Sequence, residues 1–195
     1  MNKYLFCLLM SVFVGVTGFS QDEKRLNERL DSALRLTEIS DLDKLLDFTY
    51  PKLFTLVPRE EMLSTLKSGL ENEDFAGSVD SVKKVRVFPV FKHENAFYAK
   101  VIHTMRLNMK FKQDLDSTEA DELLELMRID FGAGNISFNH ATNTVGIFML
   151  VTMVAIKDEH SPEWSFITFD DDEEDHELGA MLFPAAVLEK LKTYQ

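Results

Sequence analysis

Residues 97–112 have the sequence FYAKVIHTMRLNMKFK, and this stretch decides the fold class. Its odd-numbered positions are apolar apart from His103, whereas most even-numbered positions are polar or basic. A period of two places successive side chains on opposite faces of a strand. The stretch therefore predicts an antiparallel strand with one face on a core and the other toward water. It would reach about 50 Å, so we expect a bulge or strong bend within it.

Strand-like segments lie on both sides of this stretch. Residues 79–91 are rich in β-branched and aromatic residues, and residues 136–139 precede a turn at 141–144. Residues 145–156 are apolar on both faces, which predicts a central strand that is covered on both sides. A short strand is expected at 163–169. The sequence thus indicates two antiparallel hairpins and one further strand.

Helical periodicity accounts for most of the remaining chain. Apolar residues spaced by three or four predict helices over 22–48, from Pro58 to about residue 70, over 118–131, and at the C-terminus. Ser40 is expected to cap a restart of the first helix, and Ser117 or Thr118 to cap the third. The second helix is expected to bury Met62, Leu63, Leu66 and Leu70. Helices packed on a curved antiparallel sheet give an α+β fold.

Residues 1–20 are typical of a cleavable secretory signal peptide. Lys3 supplies a positive start, and an apolar run over 4–16 follows, which is too short to span a bilayer as a helix. Gly18 and Ser20 are the small residues that favour cleavage before Gln21. We therefore expect an exported protein, periplasmic or secreted, with a single domain over residues 21–195.

The only cysteine, Cys7, lies near the start of the apolar run and not at the cleavage point. This position argues against a lipid anchor, and cleavage would leave a chain without disulfides or thiolate chemistry. Loss of Lys3 with the signal changes the net charge from −12 to −13. Such an acidic protein is expected to avoid nucleic acid and anionic membranes. We find no second segment long enough for a transmembrane anchor, and no motif for a metal or cofactor.

The order of elements resembles the nuclear-transport-factor-2-like, or SnoaL-like, superfamily, whose members form a cystatin-like cone. The resemblance rests on Tyr50-Pro51-Lys52-Leu53-Phe54, the long strand 97–112, and Trp164-Ser165-Phe166 ahead of Leu182-Phe183-Pro184. It implies a strongly curved sheet wrapped around the N-terminal helices. The superfamily includes isomerases, dehydratases, binding modules and proteins without known activity, so the resemblance implies no particular function.

His103 is the strongest candidate for chemistry because the strand face it shares is otherwise apolar. A histidine in a pocket can act as a general acid or base near neutral pH. The alternative is a core histidine that is hydrogen-bonded to a buried partner. Four methionines on the two long strands favour an adaptable apolar pocket, with ordinary core packing as the alternative. The candidate pocket residues are His103, Met105, Met109, Met149 and Met153.

These features favour a non-catalytic exported domain that binds a small apolar ligand or a protein partner. The alternative is an isomerase or dehydratase with His103 as base, which requires a second polar group in the same cavity. A third possibility is a homodimer, or an acidic partner, docked on the basic strand face that carries Lys100, Arg106, Lys110 and Lys112. The acidic run Asp170–Glu177 lacks the spacing of an EF-hand and is expected to be a solvated loop.

Overall fold

The long strand forms the middle of an antiparallel sheet. The computed structural model describes residues 3–169 and 173–194, with side chains from Gln21 onward except Asp130 and residues 173–177. The helices are α1 (Lys3–Glu38), α2 (Leu42–Leu45), α3 (Arg59–Leu70), α4 (Ser117–Phe131), α5 (Glu173–Leu182) and α6 (Ala185–Lys192). The strands are β1 (Phe75–Val87), β2 (Phe91–His93), β3 (Ala96–Phe111), β4 (Ile136–Asn139), β5 (Thr144–Lys157) and β6 (Ser165–Thr168). Short 3₁₀ helices cover Leu46–Phe48, Pro51–Thr55 and Ala133–Asn135.

The sheet has the order β1-β3-β5-β4, with β2 beside β3 and β6 beside β5. All of its pairs are antiparallel, which confirms the α+β class. The sheet does not close on itself. The central pair keeps one register from Phe97–Lys157 to Lys110–Thr144.

The bulge expected in the long strand lies in its neighbour instead. The β1–β3 register shifts between Asp80 and Lys83 and again between Lys84 and Arg86. Ser81, inside the first shift, has φ of 55°, in the left-handed region that non-glycine residues seldom occupy. The edge strand absorbs the irregularity because β3 is held in continuous register by β5 on its other side.

Two helices share one face of the sheet without meeting over its centre. Leu26, Leu30 and Ala33 of α1 pack on Ala99 and Val101 at one end of β3. Leu124 of α4 packs on Met109, Val145 and Ile147 at the other end. The odd-numbered residues between these two clusters are only partly covered, with His103 as the exception.

The opposite face is covered at one end only. Tyr98, Val154 and Ile156 pack there against a cluster that includes Val187 and Leu191 of α6. Phe148 and Leu150 of β5 face the same side but are 47% and 63% exposed. The prediction that this strand is covered on both faces is therefore wrong at its middle. The eight residues of α6 are about 12 Å long, too short to extend over these positions.

Two helix caps differ from those predicted. Asp41, not Ser40, caps α2 by accepting a hydrogen bond from the Lys44 backbone N–H, and Ser40 has φ of 52°. Asp116, not Ser117 or Thr118, caps α4 in a reciprocal capping box with Glu119. In each case an aspartate is one position away from the predicted serine, and the backbone turn decides which side chain reaches the free N–H groups.

The part of α1 with described side chains is attached to the sheet region from near its start, at Asp22. The Asp22 carboxylate accepts from Lys157 Nζ at 2.6 Å, and the Asp22 carbonyl accepts from Trp164 Nε1 at 3.1 Å. Arg29 Nε donates to the Trp164 carbonyl. No helix in the described part of the chain is long and apolar enough to cross a membrane. The prediction that the acidic run Asp170–Glu177 is a loop is wrong for its second part, because α5 begins at Glu173. Residues 170–172 and the side chains of 173–177 lie outside the described residues.

Candidate ligand-binding site

A cavity of about 880 Å³ lies where α1 and α4 leave the sheet uncovered. Its volume is within the range of about 300–1,000 Å³ that ligand pockets commonly occupy. The sheet contributes His103, Met105, Met149, Val151 and Met153. These residues share one face because Met105 pairs with Met149, and His103 with Val151, across the β3–β5 ladder.

Four of the five residues singled out in the sequence therefore meet in this cavity. They are His103, Met105, Met149 and Met153. Met109 does not line it: this side chain is buried with Leu124, Val145 and Ile147 beneath α4. It points to the same face as the others, but α4 covers that part of the strand. Facing direction follows from the period of the strand, whereas coverage depends on where a distant helix packs.

One wall of the cavity is α3, whose apolar stripe is only partly covered by the rest of the described protein. Met62, Leu66 and Leu70 are spaced by four residues and line the cavity. None of the twelve residues of α3 is buried, which contradicts the expected burial of Met62, Leu63, Leu66 and Leu70. The helix is attached mainly near its ends, at Arg59 and at the turn after Leu70.

The N-terminal attachment of α3 is ionic. Arg59 contacts the carboxylates of Asp43 at 2.7 Å and Asp47 at 3.0 Å, and it also donates to the Asp43 carbonyl at 2.6 Å. The hydrogen bond to the Asp43 carboxylate is the main reason that the pKa of Arg59 lies above its ordinary value. These contacts hold the start of α3 beside α2 while leaving its apolar stripe toward the cavity.

The remaining walls come from the ends of several elements. Phe131 and Asn135 come from the end of α4 and the turn that follows it, and Leu178 comes from α5. Other apolar and threonine side chains complete the lining: Ala33, Leu34, Thr37, Leu42, Leu45, Leu46, Phe48, Thr49, Leu53, Val57, Val79, Phe166, Ile167 and Thr168. Phe148 and Leu150 also border it, although their side chains face the other side of the sheet. Among the described strands, none pairs with this part of β5 on the side away from β3, because the pairing with β4 ends at Ile147 and the pairing with β6 begins at Met153.

No described residue in the lining carries a formal charge at neutral pH. The polar side chains are three threonines, Asn135 and His103. Two of these are already engaged: the Thr37 hydroxyl donates to the Ala33 carbonyl, and the Asn135 amide donates to the Phe131 carbonyl. The described lining thus favours an uncharged, mainly apolar occupant.

His103 is the exception among the polar groups. It is only 3% exposed, and its Nδ1 is buried with no hydrogen-bond partner among the described residues. Burial lowers the pKa of His103 to about 4, so the ring is neutral at pH 7. Its cross-strand neighbour Lys84 is turned away, donating to Asp31 at 2.7 Å and Asn27 at 3.0 Å. This burial fits the core-histidine alternative, but Nδ1 lacks the hydrogen bond that such a histidine would be expected to make there.

This arrangement suits binding better than proton transfer. A general base works best with a pKa near the operating pH, and a second acid or base must lie close to the same substrate. The pKa of His103 is well below neutrality, and no other ionisable side chain is among the described lining residues.

Comparison with known proteins adds no further constraint. No family model, no curated protein and no solved structure matches this chain.

The sequence did not indicate the roles of α3, Phe131 or Asn135 in the cavity. A signal for α3 was present, since Met62, Leu66 and Leu70 form a stripe along one side of the helix. The same stripe is equally typical of ordinary core packing, so periodicity could not distinguish a packed helix from a cavity wall.

Proposed function

We propose that this protein is an exported, non-catalytic binding domain whose cavity holds a small apolar ligand. The observation that carries the proposal is the cavity of about 880 Å³ in which no described lining residue is charged. Burying apolar ligand surface there gains roughly 25 cal/mol per Å². The wall made by α3 supports the same proposal, because none of its residues is buried and a ligand in the cavity would cover more of Met62, Leu66 and Leu70.

The isomerase or dehydratase reading has weaker support. It needs a second ionisable or polar group positioned with His103, and the described lining supplies only threonines and an amide that is already hydrogen-bonded. Export is also part of the proposal, because residues 1–20 have the charge and apolar run that are typical of a signal peptide. A cone of the nuclear-transport-factor-2-like type is likewise proposed from the element order, with an antiparallel sheet as its supporting observation.

The test of binding uses residues 21–195 and the neutral dye Nile red. We expect saturable binding of the dye to the wild-type protein. Met149→Trp places a bulky indole ring in the cavity and should weaken dye binding roughly tenfold or more. Met181→Trp is the matched control, because Met181 is 60% exposed and does not line the cavity.

Thermal melts of both variants separate loss of binding from loss of folding. Equal dye affinity for Met149→Trp and wild type, with both proteins folded, would show that the dye binds elsewhere and would contradict the proposal. Export is tested separately by expressing the full chain and sequencing the N-terminus of the exported product, which should begin at Gln21. If residues 1–20 were retained in the product, the proposal of export would be contradicted, whereas the proposal of ligand binding in the cavity would be unaffected.

A further inference from the structure

The unpartnered Nδ1 of His103 indicates which polar group the ligand carries. A buried polar atom without a hydrogen bond costs about 1–3 kcal/mol, so such atoms call for a partner. Nδ1 of His103 has none among the described residues, and the ring lines the cavity. A lone water is poorly suited to this place, because a buried water typically needs several polar partners. The hydrogen-bonding groups of Thr37 and Asn135 already contact backbone carbonyls.

A hydroxyl group can hydrogen-bond to this nitrogen in either tautomer of the neutral ring. It donates to Nδ1 when the proton is on Nε2, and it accepts from Nδ1 when the proton is there. In the structure Nδ1 is covered. A half-turn about the Cβ–Cγ bond exchanges the positions of Nδ1 and Cδ2, and hydrogen bonding to a ligand requires this or another movement of the ring that brings the nitrogen to the cavity.

The absence of charge among the described lining residues also argues against a charged ligand. A carboxylate or an ammonium group placed in the cavity would lose its hydration without meeting an opposite charge among the described lining residues. The basic group nearest to His103 along the sheet, Lys84, is bound to Asp31 and Asn27 on α1. An uncharged ligand avoids this desolvation cost.

We propose that the ligand is an uncharged, mainly apolar molecule with a hydroxyl group, and that this hydroxyl hydrogen-bonds to the imidazole of His103. The proposal rests on the ligand-binding function stated above and adds the chemical class of the ligand. The apolar part lies along Met105, Met149 and the α3 stripe, and the hydroxyl is the one polar feature that the site recognises.

The test compares 1-decanol, decanoate and n-decane as competitors for Nile red at pH 8. Decanol should bind at least about tenfold more tightly than decanoate, since only decanoate is charged. In His103→Leu, the ratio of the decanol dissociation constant to that of decane should rise about tenfold, because the hydroxyl loses its partner. His160→Leu, at an exposed histidine, should leave this ratio unchanged.

The outcomes separate the two proposals. If Nile red does not bind the wild-type protein, or binds Met149→Trp equally well, the ligand-binding function itself is contradicted. If the dye binds in the cavity but decanol does not displace it, only the hydroxyl proposal is overturned. If all three bind but decanoate equals decanol, or if His103→Leu leaves the ratio unchanged, the hydroxyl proposal is overturned while ligand binding stands.

A second measurement on the wild-type protein covers the case in which His103→Leu does not fold. Decanol should shift the ¹⁵N resonances of the His103 ring more than decane does. Equal shifts from the two compounds would overturn the proposal.

Discussion

The backbone carbonyl of Leu70, at the end of α3, faces Gly77 of β1 so closely that a Cβ atom on Gly77 would come within 2.5 Å of its oxygen. The turn between them is tight: Asn72 N–H donates to the Phe75 carbonyl, and the Asn72 side chain accepts from the backbone N–H groups of Asp74 and Phe75. This close approach fixes the C-terminal end of the cavity wall to the sheet.

Gly77→Ala should therefore destabilise the protein by about 1–3 kcal/mol, because backbone atoms have little room to move away from the added methyl group. Urea unfolding measures this change in the free energy of unfolding. Nile red binding should weaken as well, since Leu70 would shift. Gly134→Ala is the control: Gly134 has open space around its Cβ position and should change stability by less than about 0.5 kcal/mol. Equal stability of the two variants would contradict the close approach.

Hydrogen exchange should report the loose packing of α3. Its backbone N–H groups should exchange faster than those of α1 near Leu26 and Leu30, which are fully buried, whereas α3 has no buried residue. Saturation with a ligand should slow exchange over residues 62–70 about tenfold, because Met62 and Leu66 then pack on the ligand. Protection that is unchanged by a bound ligand would show that α3 does not contact it.

The buried His103 should make stability fall in mild acid. Its pKa is about 4 in the folded protein, against 6.5 ordinarily, so the unfolded chain binds more protons between these values. The free energy of unfolding should thus decrease as pH falls from 6.5 toward 4, by up to roughly 3 kcal/mol from this group. Above pH 6.5 both states are neutral at His103, and its contribution is flat.

The pH effect is isolated by comparison with His103→Leu. The cross-strand neighbour Lys84 is ion-paired with Asp31, and we expect this pair to persist in the variant because neither side chain contacts position 103 through a hydrogen bond. Wild type should therefore lose stability relative to the variant as the pH drops through this window. Parallel stability curves for the two proteins would mean that His103 takes up its proton without cost in the folded state.

Asn143 should be a strong determinant of stability outside the cavity. It has φ of 53°, and its side chain donates to the carbonyls of Phe111 and Gln113 and accepts from the Leu115 N–H. Asn143→Ala loses three hydrogen bonds and adds backbone strain, with an expected cost of about 2–4 kcal/mol in urea unfolding.

Asn143→Gly separates the two causes because glycine tolerates positive φ but makes no side-chain bonds. It should recover part of the loss. A glycine variant less stable than the alanine variant would show that backbone strain at this position is unimportant.

The alternation of faces along β3, the α+β class and the face on which His103 lies follow from the sequence, because each depends on the local spacing of apolar and polar residues. Residues 97–112 predicted β3 to within one residue at each end. The cavity does not follow from it. Its existence depends on α1 and α4 covering opposite ends of one face, and no local pattern records the distance between two helices.

The missed features have the same origin. Phe148 and Leu150 are apolar and were predicted to be covered, but α6 is too short to reach them. Met109 faces the same way as Met105, yet only Met109 lies under α4. The missing hydrogen bond of His103 depends on what surrounds the ring in three dimensions, and sequence spacing does not give that.

The attachment of Asp22 to Trp164 also sets an order of folding. The two residues are 142 positions apart, and Arg29 reaches the same Trp164 across 135 positions. A ribosome makes the chain from its N-terminus, so α1 is complete long before β5 and β6 exist. Closing so long a loop is entropically costly until those strands are in place. The first helix can pack earlier on Ala99 and Val101 of β3, but its hydrogen bonds to Trp164 form only after the segment ahead of β6 has been synthesised.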